Sequence, residues 1–147
     1  MSGFFSFFFP FRSVCSIILR YNPHTNVFYI SVRMANTNDI LKLQAEYACP
    51  TDPRSTVVHE IFHWKDAEEY RKQFGAITDS SRSSKYSMYQ REKARQKLVE
   101  AGVDIANVDD VSGISQYAIA KQTLKNDIEE VYTEYRTKVL CEGDAAR

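Results

Sequence analysis

The sequence predicts an α+β domain in which a small antiparallel hairpin packs against one long helix and further helices follow. Three observations carry this. The run Asn22-Pro23-His24-Thr25-Asn26 has strong turn composition and separates two segments rich in β-branched and aromatic residues. A helical stretch of about twenty residues, or roughly 30 Å, leads up to Gly75. Beyond residue 84 the chain reads as successive helices, the first of them ended by Gly102.

The first 13 residues form a hydrophobic Phe-rich segment, with six of the nine Phe among residues 1–11. Pro10 and Arg12 interrupt it, and it is too short for a stable membrane span, which needs about 20 apolar residues. The flanks of a secretory signal are not evident, although secretion stays open. Residues 14–147 suit a single domain.

Taking the elements in order, residues 14–21 and 27–33 are the hairpin strands, and residues 38–47 a short helix with Ile40, Leu41 and Leu43 inward. The long amphipathic helix starts near Asp52 as N-cap and Pro53 as first helical residue, with Ser55 or Thr56 as alternative caps. It runs through Val57, Val58, Ile61, Phe62, Trp64 and Tyr70 to Phe74. Residues 79–84 are loop, and a basic helix spans 84–101. Residues 103–112 read as loop or short strand, and residues 115–124 and 127–140 as helices. The last begins acidic, which suits the positive end of the helix dipole.

Hydrophobic residues at 44% and charged residues at 26% exclude wholesale disorder. Lys+Arg and Asp+Glu are equal at 19, so net charge is zero. That argues against a specific nucleic-acid partner, and the basic residues of 82–97 read most simply as a solvated helix face. Cys15, Cys49 and Cys141 form no CxxC pair and fit a reducing, cytoplasmic compartment.

The chemistry lies in His59-Glu60-Ile61-Phe62-His63, an HExxH sequence inside the long helix. Residues i and i+4 share a helical face, so both imidazoles can reach one ion. Glu60 lies beside that face, where it can serve as general base toward a metal-activated water. Zinc suits two neutral imidazoles plus a carboxylate, with a fourth position open. Two of only three His fall in this window, while His24 sits in the hairpin turn as an exposed residue. Cys49 reads as a small buried apolar group.

A third ligand is required. Glu130 and Glu134 are i and i+4, so one can bind metal while the other accepts a hydrogen bond from a ligand imidazole. Glu129 is the competitor on an adjoining face. Asp66, three residues after His63, is either a solvated carboxylate or a second partner for an imidazole.

HExxH followed by a distant ExxxE resembles the gluzincin metallopeptidases, and more closely the lethal-factor-like zincins. Ser115-Gln116-Tyr117-Ala118 and Glu130-Val131-Tyr132-Thr133-Glu134 are similar to that group's Tyr segment and its Glu-containing helix. His63-Trp64-Lys65-Asp66 resembles its habit of placing Asp after the second His. Similar domains occur in phage minor head and head-morphogenesis proteins, which the hairpin and the Ser55-Thr56-Val57-Val58-His59-Glu60 run also resemble. The chain departs from the group in the longer separation of Tyr117 from Glu130 and in Thr133 replacing a small Ala.

The resemblance implies a zincin-like fold with Zn²⁺ on His59, His63 and Glu130. Catalytic roles fall to Glu60 and to Tyr117, or failing that Tyr132, and the substrate is a peptide or protein. It also implies the alternative of a zinc-holding structural protein in a phage head or other assembly, virion-associated rather than free in the cytoplasm.

Overall fold

The computed structural model describes residues 19–30, 38, 54–79 and 81–143. Among these the fold is α+β, with one antiparallel hairpin and five helices. The hairpin joins β1 (Leu19–Asn22) to β2 (Val27–Ile30), with Leu19 opposite Ile30 and Asn22 opposite Val27. The helices are α1 (Ser55–Phe74), α2 (Lys85–Glu100), α3 (Val108–Ser112), α4 (Gln116–Lys125) and α5 (Ile128–Glu142). The expected helix at 38–47 and its inward Ile40, Leu41 and Leu43, together with Cys49, Asp52, Pro53 and the Phe-rich segment, lie outside the described residues, apart from Asn38.

The hairpin turn is built by its asparagines. Asn22 Oδ1 accepts from the backbone N–H of His24 at 2.9 Å and of Thr25 at 3.3 Å, and Asn26 takes the left-handed conformation at φ 56°. His24 is exposed at the tip.

α1 begins at Ser55, behind Arg54 in the cap position with helical dihedrals and no side-chain cap bond. Ser55 and Thr56 are therefore not caps; both are buried inside the first turn. The Arg54 guanidinium instead donates to the Cys141 carbonyl at 3.0 Å, tying the start of α1 to the end of α5. Gly75 stops the helix at φ 89°, a conformation that favours glycine, with its N–H on the Arg71 carbonyl.

The buried face of α1 differs from the expected apolar one. It consists of Ser55, Thr56, His59, Glu60, Asp66, Ala67 and Tyr70, while Ile61 and Trp64 are 41% and 37% exposed. The interior of this helix is mostly its polar face, and that needs partners from elsewhere.

Residues 103–112 are not simply loop or strand, because they contain α3. Asn107 Oδ1 accepts from the N–H groups of Asp109 and Asp110, and both acids sit in the first turn, where the helix dipole favours them. α4 is capped by Ser115, whose hydroxyl accepts from Ala118 N–H at 3.0 Å. α5 continues two residues beyond the expected Leu140.

Two apolar clusters flank the site. Ala94, Leu98, Val111, Ile114, Ala118, Ile128 and Val131 close α2 against α3, α4 and α5. Tyr21, Ala67, Tyr70, Ile77 and Tyr86 join the hairpin to α1 and α2. Much of the basic run is absorbed internally. Arg82 pairs with Asp127, Lys93 with Asp66 and Glu69, Arg95 with Glu92, and Lys97 with Glu100. No helix among the described residues is long and apolar enough to cross a membrane.

Candidate metal centre

α1 and α5 run antiparallel, as their pairings show: Arg54 meets Cys141, His59 meets Glu134, and His63 meets Glu130. Each helix carries its chemistry at i and i+4, so the two stripes face one another in register. His59 Nε2 lies 3.0 Å from Glu130 Oε2 and 3.0 Å from His63 Nε2, and His63 Nε2 lies 3.4 Å from Glu130 Oε2. These three donors form a group that could hold a metal ion. A tetrahedral ion with bonds of about 2.0–2.1 Å needs donor–donor edges of about 3.3 Å, and the observed edges of 3.0, 3.0 and 3.4 Å would reach that with a small outward shift of His59.

The supporting contacts are one shell out. His59 Nδ1 donates to Glu134 Oε2 at 2.8 Å, and the Ser115 hydroxyl donates to Glu134 Oε1 at 2.9 Å. A proton fixed on Nδ1 leaves the Nε2 lone pair turned toward His63 and Glu130, as metal ligation requires. Ser115 thus caps α4 and anchors Glu134. Its capping position is legible in the sequence, but its reach to α5 is not.

The electrostatics agree with a cation site. Burial alone would lower the His59 imidazole, yet hydrogen bonds with Glu130 and Glu134 hold it well above its ordinary value. His63 behaves likewise, with burial opposed by Glu130. Burial alone would raise Glu130, but His63 and His59 pull its carboxyl well below the usual range. These opposed shifts show imidazoles and a carboxylate that favour opposite charge at one point, which is where a divalent cation would act in place of a proton.

The centre opens on one side. The side chains of His59 and Glu134 are 4% and 1% exposed, while those of His63 and Glu130 are 16% and 21% exposed. His63 and Glu130 line a cavity of about 300 Å³ together with Glu60, Glu129, Tyr117, Lys121, Arg20 and residues of α2. A larger hollow of about 610 Å³ beside α3 and the end of α5 shares no residue with it. Glu60 Oε2 accepts from the Tyr21 N–H at 2.7 Å, so the hairpin grips the helix at this carboxylate. Burial raises the Glu60 carboxyl, outweighing the nearby imidazoles and that amide. The Tyr117 ring stands edge-on to His59 at 6.0 Å.

No family model, curated protein or solved structure matches the chain.

Several sequence alternatives resolve differently from expectation. Asp66 is neither solvated nor against an imidazole. It is 6% exposed and pairs with Arg136 and Lys93, the latter at 2.9 Å. Burial alone would raise its carboxyl, but Arg136 and Lys93 hold it below the usual range. Glu129 has one buried oxygen with no hydrogen-bond partner, and burial raises its carboxyl. Tyr132 packs on the apolar cluster, with the Arg136 guanidinium 4.5 Å over its ring. Glu134, not Asp66, orients the imidazole.

Proposed function

We propose that the chain is a zinc-dependent metallopeptidase-like domain of the zincin type. The observation that carries the reading is the convergence of His59 Nε2, His63 Nε2 and Glu130 Oε2, with Glu134 holding the far nitrogen of His59. The donor set of two imidazoles and a carboxylate suits Zn²⁺ with a position left for substrate or water. Bound zinc would supply Lewis acidity toward a peptide carbonyl and lower the pKa of an attacking water.

The protein supplies the rest. Glu60 takes the proton from the attacking water and later delivers it to the leaving amine; its raised carboxyl suits both halves of that task. The Tyr21 amide fixes one Glu60 oxygen, which leaves the other for the reaction. Tyr117, lining the same cavity, donates to the carbonyl oxygen as negative charge develops there. Glu134 and Ser115 keep His59 in its ligating tautomer.

The test is Glu60→Gln. The variant should keep its zinc and lose peptide hydrolysis by about 10²–10⁴-fold. Hydrolysis equal to that of the parent would remove the reading. The burial of Glu60, which is 4% exposed, supports a second reading: a zinc-holding interaction module in a larger assembly such as a phage head. That reading expects zinc without hydrolysis and co-purification with other proteins.

A further inference from the structure

The cavity beside the metal centre has two cationic walls that the proposed chemistry does not use. Lys121 reaches it from α4 and Arg20 from β1. The Lys121 side chain is 15% exposed, unusually low for a lysine, and its ammonium lies 5.2 Å above the Tyr117 ring. Among the described residues its carboxylate partner is Asp127 at 3.8 Å, and Asp127 already takes Arg82 at 2.7 Å. The Arg20 guanidinium has no hydrogen-bond or ion-pair partner among the described residues.

The carboxylates in the same cavity are differently placed. Glu130 lies between the two imidazoles and Glu60 accepts the Tyr21 amide. Glu129 has one buried oxygen without a hydrogen-bond partner among the described residues. Two cations without a close carboxylate partner, Lys121 and Arg20, thus face this cavity against one such carboxylate, and a bound divalent cation would add to the positive side. A partly desolvated ammonium with a loose partner favours a carboxylate that can make a shorter, charge-assisted hydrogen bond.

We propose that this cavity binds a carboxylate of the peptide substrate through Lys121, with Arg20 as the second cation, so that the centre selects peptides bearing a negative group near the scissile bond. The inference rests on the peptidase reading. Its volume of about 300 Å³ lies at the small end of ligand clefts, which suits one side chain or a chain end. The carboxylate belongs either to an Asp or Glu side chain or to the substrate's C-terminus.

The experiment uses the full chain, zinc-loaded, with Glu60→Gln to prevent turnover. Calorimetric titration is made with the hexapeptide Gly-Ala-Phe-Leu-Ala-Gly as free acid and as C-terminal amide. In a second arm the amide carries Glu, or Gln as control, at each position in turn. A carboxylate in one arm should tighten binding about tenfold over its neutral counterpart, and the arm that responds names the source. Lys121→Met should reduce that preference to about twofold or less with zinc content unchanged, Lys121→Arg should keep most of it, and Arg20→Gln should weaken it.

Equal binding of charged and neutral peptides, or a preference that survives in both Lys121→Met and Arg20→Gln, overturns the inference. In the parent chain, hydrolysis of neutral and acidic peptides at equal rates removes the inference and keeps the peptidase reading. Lys121-dependent binding with no hydrolysis of any peptide removes the peptidase reading alone.

Discussion

His59 Nδ1 and Glu134 Oε2 lie 2.8 Å apart with both side chains buried, which locks one residue of the HExxH helix to a helix 75 positions later. The contact fixes which imidazole nitrogen is free. It also defines the register in which the two helices face one another.

Glu134→Gln keeps the shape but takes away the anion that holds the Nδ1 proton. Zinc affinity should fall about 10–100-fold, read by competition with a chelating dye. Unchanged affinity would mean that His59 is oriented by something else.

Ser115→Ala removes both the α4 cap and the donor to Glu134. Stability should fall by about 1–2 kcal/mol in urea unfolding, with a smaller loss of zinc affinity than for Glu134→Gln. A loss of zinc affinity larger than that of Glu134→Gln would contradict the assigned order of contacts.

Asp66 gives a pH signature. Its carboxyl is held below the ordinary 3.8 in the folded chain because Arg136 and Lys93 outweigh the effect of burial. A depressed folded value means that its contribution is complete above the unfolded value and is lost as pH falls through the folded one. The parent should therefore lose stability below about pH 4, and Asp66→Asn should show a flatter acid limb. Breaking the buried pair should cost about 3–5 kcal/mol near neutrality while zinc stoichiometry holds. An acid limb of the same slope in both proteins would contradict the assignment.

Arg71 clamps the hairpin onto α1. Its guanidinium donates to the Tyr21 hydroxyl at 2.9 Å, the Pro23 carbonyl at 2.6 Å and Asn26 Oδ1 at 3.3 Å. Arg71→Ala should speed hydrogen exchange at the Tyr21 amide, the donor to Glu60, by about tenfold or more, and leave exchange at Leu98 nearly unchanged. Equal acceleration at both amides would show that the hairpin does not move separately from the helical core.

How much of this was legible in the sequence depends on range. The turn at Asn22–Asn26 and the stops at Gly75 and Gly102 follow from local backbone chemistry, and both turn and stops are present. The i, i+4 stripes of His59/His63 and Glu130/Glu134 were visible too, because helical spacing alone defines them. Their meeting follows only from the need for a third ligand and from the family resemblance, since nothing local sets the register of two helices so far apart in sequence. Asp66 was misread for the same reason: its partner Arg136 lies 70 residues away. The α3 helix was missed although Asn107 and the acids after it form a capping signal, because five residues are too few to show an apolar period.

The most direct test of the account is metal analysis of the purified chain beside its His59→Ala and Glu130→Ala variants. The parent should carry about one zinc per chain, and both variants should lose it while keeping their helical content. Zinc retained at the parental level by Glu130→Ala would contradict the central claim that Glu130 completes the site.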